Sequence, residues 1–197
     1  MARARPAPPT IADALWPASG TSRTFRAVLL ALLGSALLIV SAKVQVPFYP
    51  VPMTLQTLVV LLLGLALGWR LAFATVLLYL AQGAIGLPVF AGTPEKGIGL
   101  AYMLGPTGGY LIGFALAAAV TGWIAGHRRD LLALVGAVLA GTATIWICGL
   151  LWLTSLVGLQ QAIALGLVPF LLGDLVKAAL AVALGIAGGE LVRRLQT

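Results

Sequence analysis

Six long apolar stretches dominate the sequence. They cover residues of about 26–43, 54–68, 70–88, 110–126, 131–155 and 168–192. A helix needs about 20 apolar residues to cross the hydrocarbon core of a bilayer. Charged residues make up 9% of the 197 residues, against about 25% in a typical soluble domain. The pattern predicts an all-α integral membrane protein, with a cytoplasmic tail over residues 1–22 and a single six-helix transmembrane domain over residues 23–197.

The basic residues predict the orientation of these spans. The net charge is +7, which in a soluble protein would point to nucleic acid, but here the charges lie in short runs between apolar stretches. If the six spans alternate in direction, one side receives nine arginines, namely Arg3, Arg5, Arg23, Arg26, Arg70, Arg128, Arg129, Arg193 and Arg194. The other side receives Lys43 and Lys96. Loops rich in arginine and lysine stay in the cytoplasm, so we expect both termini there. Because the basic residues lie in such loops, we expect no nucleic-acid partner.

Two connections between the apolar stretches are irregular. Residues 47–52 read Pro-Phe-Tyr-Pro-Val-Pro, which cannot be regular helix. Residues 89–109 form a long, glycine-rich connection. Irregular backbone at membrane depth is tolerated where it lines a cavity, and long loops between packed helices are commonly functional. We expect residues 89–109 to form a lid or a pocket wall, and the alternative is a flexible surface loop.

Polar side chains recur at the ends of the spans that face the outside in this topology. They are Thr54 and Gln56 in the second span, Tyr79 and Gln82 in the third, Tyr110 in the fourth, and Asp174 and Lys177 in the last. Asp174 lies about six residues into the last span, which is roughly 9 Å at 1.5 Å per residue. The sequence therefore predicts a polar cluster in the outer third of the membrane.

Asp174 and Lys177 are the most informative members of this cluster. At spacing i, i+3 they share one face of a helix and can touch. A charge at the centre of a bilayer costs about 2.5–3.5 kcal/mol on insertion scales. The pair is therefore either a mutual salt bridge that fixes helix packing, or a polar site in a wet cavity where Asp174 accepts and Lys177 donates hydrogen bonds.

The sequence offers little for catalysis. It contains one cysteine, Cys148, and one histidine, His127, and no phosphate-binding loop, nucleophile elbow, HExxH or CxxC motif is present. We therefore expect no enzymatic activity, no catalytic residues, no metal site and no cofactor.

Four ordered runs resemble the BioY family of biotin-specific S subunits of energy-coupling factor (ECF) transporters. They are Val51–Thr57, Gly83–Gly92, Leu104–Phe114 and Pro169–Lys177. The resemblance implies a six-helix S-component fold in a bacterial cytoplasmic membrane, with high-affinity capture of biotin from outside. It also implies partnership with a transmembrane coupling protein and two ATPase subunits.

The resemblance also implies roles for particular residues. Asp174 and Lys177 match the family's biotin-site residues, Gln82 stands where the family often has asparagine, and Lys96 falls in the loop that often carries an arginine. Asp174 would accept the ureido N–H groups, Lys177 would donate to the ureido oxygen and Lys96 would meet the carboxylate. The sequence does not exclude the reverse placement, with Lys177 on the carboxylate. The rings of Phe90 and Tyr110 would enclose the apolar parts.

Small residues follow one face of the first span. Ala27, Ala31 and Ser35 recur at every fourth position, which permits close helix–helix approach. The stripe resembles the surface that S subunits present to the coupling protein, and it is equally compatible with packing inside the chain.

Three alternative functions fit the sequence less well than an S subunit does. A stand-alone carrier would use Asp174 as a proton-coupling carboxylate, but the sequence shows no inverted repeat with matching broken helices. A membrane enzyme lacks a nucleophile–base pair. A purely structural subunit leaves the cost of Asp174 and Lys177 unexplained.

Overall fold

The computed structural model describes residues 10–17, 21–128 and 130–196. Over these ranges the chain is mostly helical, as predicted. Most of the predicted N-terminal tail, including Arg3 and Arg5, lies outside the described residues, and so does Arg129.

In chain order the helices are α1 (Ile11–Leu15), α2 (Thr21–Lys43), α3 (Gln56–Leu67), α4 (Trp69–Ala84), α5 (Gly99–Met103), α6 (Gly108–His127), α7 (Leu131–Val157), α8 (Leu159–Gly166) and α9 (Leu171–Gln196). Longer connections separate α2 from α3 and α4 from α5, and the other helices follow one another closely. Two short strands, β1 (Gln45–Val46) and β2 (Met53–Thr54), pair antiparallel around the proline-rich segment, and a 3₁₀ turn at Val168–Phe170 precedes α9.

Four helical segments of the described chain are long and apolar enough to cross a membrane. They are Ser22–Lys43, Gly108–His127, Leu131–Val157 and Leu159–Arg194, the last of which contains α8, the 3₁₀ turn and most of α9. The stretches predicted at 54–68 and 70–88 give shorter helices, because α3 has 12 residues and α4 has 16. A 12-residue helix is roughly 18 Å long, well short of the roughly 30 Å hydrocarbon core.

The shorter helices have local causes. The backbone before α3 is committed to the β1–β2 hairpin, and α3 ends at Gly68, whose φ is +75°. Helix α4 ends at Ala84 because Gly86 has a φ of +96° and Pro88 cannot donate a helical hydrogen bond. Each apolar stretch is longer than the helix within it, so the length of the stretch overestimates the length of the helix.

The start of the last helix also differs from the prediction. Residues 168–170 form the 3₁₀ turn, and α9 begins at Leu171. Asp174 therefore lies in the first turn of α9, not six residues within it. The unpaired N–H groups and the positive end of the helix dipole favour a carboxylate at that position.

Glycines let α6 pack closely against its neighbours. A Cβ atom on Gly109 would come within 2.4 Å of the carbonyl oxygen of Cys148 in α7. On the α3 side, a Cβ atom on Gly64 would come within 2.8 Å of the carbonyl oxygen of Ala118. Small residues at such contacts maximise van der Waals packing between membrane helices, so α6 forms the centre of the bundle.

The two ends of the bundle differ in charge. At one end, Gly68 lies against Thr10 and Gly188 lies against Ile11. This end, called here the arginine end, carries the described arginines, which are Arg23, Arg26, Arg70, Arg128, Arg193 and Arg194. The opposite end carries Lys43, Glu95 and Lys96. The predicted segregation of basic residues is therefore present in the fold.

The segment around α1 is fastened to the arginine end. Thr10 caps α1 by accepting a hydrogen bond from the N–H of Asp13. The buried Arg26 donates to the Asp13 carboxylate and to the carbonyl of Trp16. Burial opposes ionisation of Asp13, but the hydrogen bonds from Arg26 and Thr10 lower its pKa below the usual value. Part of the predicted tail thus packs on the bundle.

The outward surface is apolar along the long helices. Helix α2 exposes Phe25, Val28, Leu32, Leu37 and Val40 by 48–66% each. Hydroxyl groups inside the helices are satisfied locally, as where Thr75 donates to the carbonyl of Leu71 at 2.7 Å. Apolar exteriors and internally satisfied polar groups are what a hydrocarbon solvent requires, and the fold is that of a multi-pass membrane protein.

Candidate ligand-binding site

A cavity that is partly open to solvent lies at the end of the bundle opposite the arginines. Most of its lining is apolar or aromatic, and the full lining is Val51, Pro52, Thr54, Gln56, Thr57, Ala91, Tyr102, Thr107, Tyr110, Leu111, Phe114, Ile145, Trp146, Phe170, Asp174 and Lys177. An apolar pocket with a few convergent polar groups is the usual design for binding a small molecule.

An ion pair supplies the charge in this cavity. The Nζ atom of Lys177 lies 2.6 Å from Oδ1 of Asp174, and their side chains are 9% and 4% exposed. The spacing of i, i+3 along α9 makes the contact possible, as the sequence indicated. The residues form a mutual salt bridge and also line the cavity.

Neighbouring helices complete the surroundings of Asp174. Thr57 of α3 donates to Oδ1 at 3.2 Å, and the indole N–H of Trp146 in α7 donates to Oδ2 at 2.8 Å. With Lys177, the carboxylate accepts from three side chains. A buried charge is tolerated when it is paired and hydrogen-bonded in this way.

Lys177 also connects α9 to the hairpin. Its Nζ atom donates to the carbonyl oxygen of Thr54 at 3.0 Å. An ammonium group has three donors, and Asp174 and Thr54 account for two of them. One donor of Lys177 therefore remains for a ligand in the cavity.

Gln56 links the cavity to the wall behind it. Its side-chain nitrogen donates to the hydroxyl of Tyr79 at 2.8 Å, and that hydroxyl donates to the carbonyl of Val89 at 3.3 Å. Gln56 lines the cavity, whereas Tyr79 is fully buried behind it. The pair therefore joins α3 and α4 to the start of the 89–109 connection.

Aromatic rings form the apolar part of the wall. Tyr110 turns its hydroxyl away to donate to the carbonyl of Gly166 at 2.7 Å, so its ring is held in place. Tyr102 of α5 lines the cavity and stacks on Phe90, with ring centroids 4.9 Å apart. Phe170 meets Phe48 edge to face at 6.0 Å. These fixed rings suit a ligand with an apolar, ring-shaped body.

Several predicted site residues come together here. Asp174, Lys177, Thr54, Gln56 and Tyr110 all line the cavity. Two further candidates, the buried Tyr79 and Phe90, support the wall from behind. The 89–109 connection is a wall of the cavity, to which it contributes Ala91, Tyr102 and Thr107.

Two predicted residues lie elsewhere. Gln82 turns toward α2 and accepts a hydrogen bond from the hydroxyl of Ser35, because the phase of α4 directs it away from the cavity. Lys96 is exposed, and its aliphatic chain covers Gly92. In this conformation neither belongs to the cavity lining.

The small-residue stripe of α2 faces inward in part. Ser35 is fully buried and pairs with Gln82, whereas Ala27 and Ala31 are half-buried. Ser35 therefore serves packing inside the chain rather than an exposed docking surface, because its hydroxyl needs the internal partner.

Sequence reasoning missed the neighbours of Asp174. Trp146 lies in the middle of an apolar stretch, where an indole is typical of packing, and nothing in the sequence connects it to a residue 28 positions later. Thr57 directly follows the predicted residue Gln56, and its polar side chain in an apolar stretch is a signal that could have identified it.

The fold and the cavity together define a polytopic membrane protein with a partly polar cavity between its helices. The chain belongs to the BioY family, whose sequence profile matches residues 16–194.

Relatives and a solved structure agree with this assignment. A probable biotin transporter BioY of Pyrococcus horikoshii is 44% identical over 147 residues, covering 75% of this chain and 86% of the relative. The biotin transporter BioY of Thermotoga maritima is 38% identical over 153 residues, covering 77% and 89%. The crystal structure of the S-component for biotin from an ECF-type ABC transporter matches with a TM-score of 0.73 at 27% identity, over 91% of this chain and 95% of that one.

The buried pair leads to a prediction about stability without ligand. Breaking a buried ion pair on one side costs about 3–5 kcal/mol, so Asp174→Asn and Lys177→Met should each lower the thermal unfolding midpoint of the protein in detergent. The double variant should cost less than the sum of the two, because it leaves no charge unpaired. Strictly additive losses would contradict the coupling of the two side chains.

Proposed function

We propose that this chain is the biotin-binding S subunit of an ECF-type vitamin transporter and that biotin occupies the cavity. The observation that carries the proposal is the Asp174–Lys177 pair, which lines an otherwise aromatic and aliphatic cavity. Biotin combines a polar ureido group with an apolar ring and chain, and the relatives named above are biotin transporters. Family membership and the lining chemistry support the same ligand.

The electrostatics favour one orientation of biotin. The ureido group has two N–H donors and one carbonyl acceptor, which match the Asp174 carboxylate and the remaining donor of Lys177. The opposite orientation would place a second carboxylate beside Asp174, and like charges at such separations repel strongly in a low dielectric. We infer that the ureido end lies at the ion pair and that the carboxylate points toward the mouth.

Titration with biotin tests this proposal. Asp174→Asn and Lys177→Met should each weaken binding by about tenfold to a hundredfold, since a hydrogen bond to a charged group contributes about 1.5–3 kcal/mol. Isothermal titration of the purified protein in detergent measures the affinity. Biotinamide, which lacks the carboxylate, should bind within a few-fold of biotin if the ureido end is the inner end.

A matched variant controls for the change in charge. Glu190→Gln removes one carboxylate from the exposed arginine end, where Glu190 pairs with Arg193, and should leave biotin affinity unchanged. If the well-folded wild type does not bind biotin, the ligand assignment is wrong. If binding survives both site substitutions, the ligand lies outside this cavity.

We also propose six membrane crossings with both termini in the cytoplasm. Helices α3 and α4 are joined at Gly68 at the arginine end, and α3 begins at the cavity end. Each short helix thus runs from one end of the bundle toward the other. The positive-inside rule then places the arginine end in the cytoplasm, and the cavity opens on the outer side of a bacterial cytoplasmic membrane.

Thiol labelling tests this topology. In a Cys148→Ala background, a membrane-impermeant maleimide applied to intact cells should label Glu95→Cys, because residue 95 is exposed at the cavity end. Arg128→Cys, exposed at the arginine end, should be labelled only after permeabilisation. The opposite labelling pattern would reverse the orientation.

Partners follow from the same proposal. The chain is proposed to act with a transmembrane coupling protein and two ATPase subunits, in keeping with its structural similarity to an S-component of an ECF-type transporter. The chain itself has no phosphate-binding loop of the Walker type. Transport driven by ATP would therefore require ATPase subunits from outside this chain.

Uptake assays distinguish this assembly from a stand-alone carrier. Cells that express the chain with the three partner subunits should accumulate labelled biotin, and a catalytically inactive ATPase should abolish accumulation while binding remains. Accumulation by the chain alone that follows the proton gradient would instead support a proton-coupled carrier that uses Asp174.

A further inference from the structure

Lys43, the last residue of α2, holds a turn in the cavity wall. Its Nζ atom donates to the carbonyl of Phe90 at 2.9 Å, to the carbonyl of Thr93 at 3.3 Å and to the hydroxyl of Thr93 at 3.1 Å. All three acceptors are neutral oxygens of the segment 90–93. A single ammonium group thus joins the end of α2 to this turn.

The turn has its own internal hydrogen bonds. The Thr93 hydroxyl donates to the carbonyl of Phe90 at 2.7 Å, and the Thr93 N–H donates to the same oxygen at 3.4 Å. These bonds close the turn without Lys43. Lys43 is therefore a tether between the turn and α2 rather than a requirement for the turn to form.

The tethered turn is continuous with the cavity lining. Ala91 lines the cavity, and the fully buried ring of Phe90 stacks on the lining residue Tyr102. Phe90 also fills the space beside Gly83, where a Cβ atom would come within 1.9 Å of the ring. Outward movement of the turn would withdraw Phe90 and release Tyr102, which would open the wall.

We propose that Lys43 is a positioning residue that fastens the 90–93 turn to α2 and thereby sets how long a ligand stays in the cavity. The proposal rests on the proposed function only in taking that ligand to be biotin. Helix α2 packs on α3 and α4 and exposes an apolar face on its other side. A displacement of α2 would therefore move the turn with it and shorten the residence time of the ligand.

Release of labelled biotin, chased with an excess of unlabelled biotin, tests the tether. Lys43→Met, which keeps the apolar stem of the side chain but removes its donors, should raise the dissociation rate by about tenfold, a factor that corresponds to about 1.4 kcal/mol. The association rate should stay within about threefold, as is usual within a series of variants. Lys43→Arg should restore slow release.

A neutral donor separates hydrogen bonding from charge. Lys43→Gln loses the charge of the ammonium group but can still donate to the carbonyl oxygens, so it should release biotin more slowly than Lys43→Met. Release from Lys43→Gln as fast as from Lys43→Met would mean that hydrogen bonding at this position does not hold the turn, and the tether would be wrong.

Hydrogen exchange in the ligand-free protein tests the tether independently of biotin. Amides of residues 89–97 should exchange faster in Lys43→Met than in the wild type, while those of α6 should not change. Unchanged exchange together with unchanged release would overturn the proposal. If residues 89–97 exchange faster in Lys43→Met but the wild type does not bind biotin, the tether stands and the proposed ligand is wrong.

Discussion

The buried ion pair between Asp174 and Lys177 is the interaction on which the cavity depends. Two charges in an apolar bundle are tolerated because each one finds fixed partners. Trp146 and Thr57 donate to the carboxylate, and the carbonyl of Thr54 accepts from the ammonium group. These partners come from α7, α3 and the hairpin, while the pair belongs to α9. Four parts of the chain therefore meet at one pair of charges, which makes the geometry of the site a property of the whole bundle.

The apolar wall is held by a different principle. Tyr110 directs its hydroxyl toward the carbonyl of Gly166, and Phe170 packs edge to face on Phe48. Tyr102 stacks on the buried ring of Phe90. These contacts fix the rings that enclose the cavity. The two charged side chains thus lie in one region of the cavity, and the aromatic rings enclose the remainder.

The sequence predicted those parts of the site that depend on residue type and on spacing along the chain. Asp174 and Lys177 stand out because charges in an apolar stretch are costly, and their spacing places them on one helix face. The rotation of a helix about its axis is not visible in this way. Gln82 was placed at the correct end of its helix, yet it faces Ser35 rather than the cavity. The contact of Trp146 with Asp174 depends on the packing of α7 against α9, which the sequence does not reveal.

The lengths of the spans show a second limit of sequence reasoning. Residues 85–88 continue the apolar stretch of α4, but Gly86 has a positive φ angle. Pro88 has no N–H group with which to continue the helix. Apolarity records burial or contact with lipid, whereas helix ends depend on backbone conformation. The same reasoning explains Lys96, because Gly92 and Gly97 adopt positive φ angles on either side of it. A loop of this kind directs its side chains in ways that composition does not reveal.

Helix α2 connects the two ends of the bundle through three polar contacts. Arg26 binds Asp13 and Trp16 near the arginine end, Ser35 binds Gln82 within the bundle, and Lys43 binds the 90–93 turn at the cavity end. All three side chains are engaged with other parts of this chain, so the exposed apolar side chains of α2 remain for lipid or for the coupling protein of the proposed transporter. A partner that displaces α2 would act on all three contacts. Because Ser35 is already engaged inside the chain, such a partner would meet α2 through its exposed aliphatic and aromatic side chains rather than through the inner edge of the small-residue stripe.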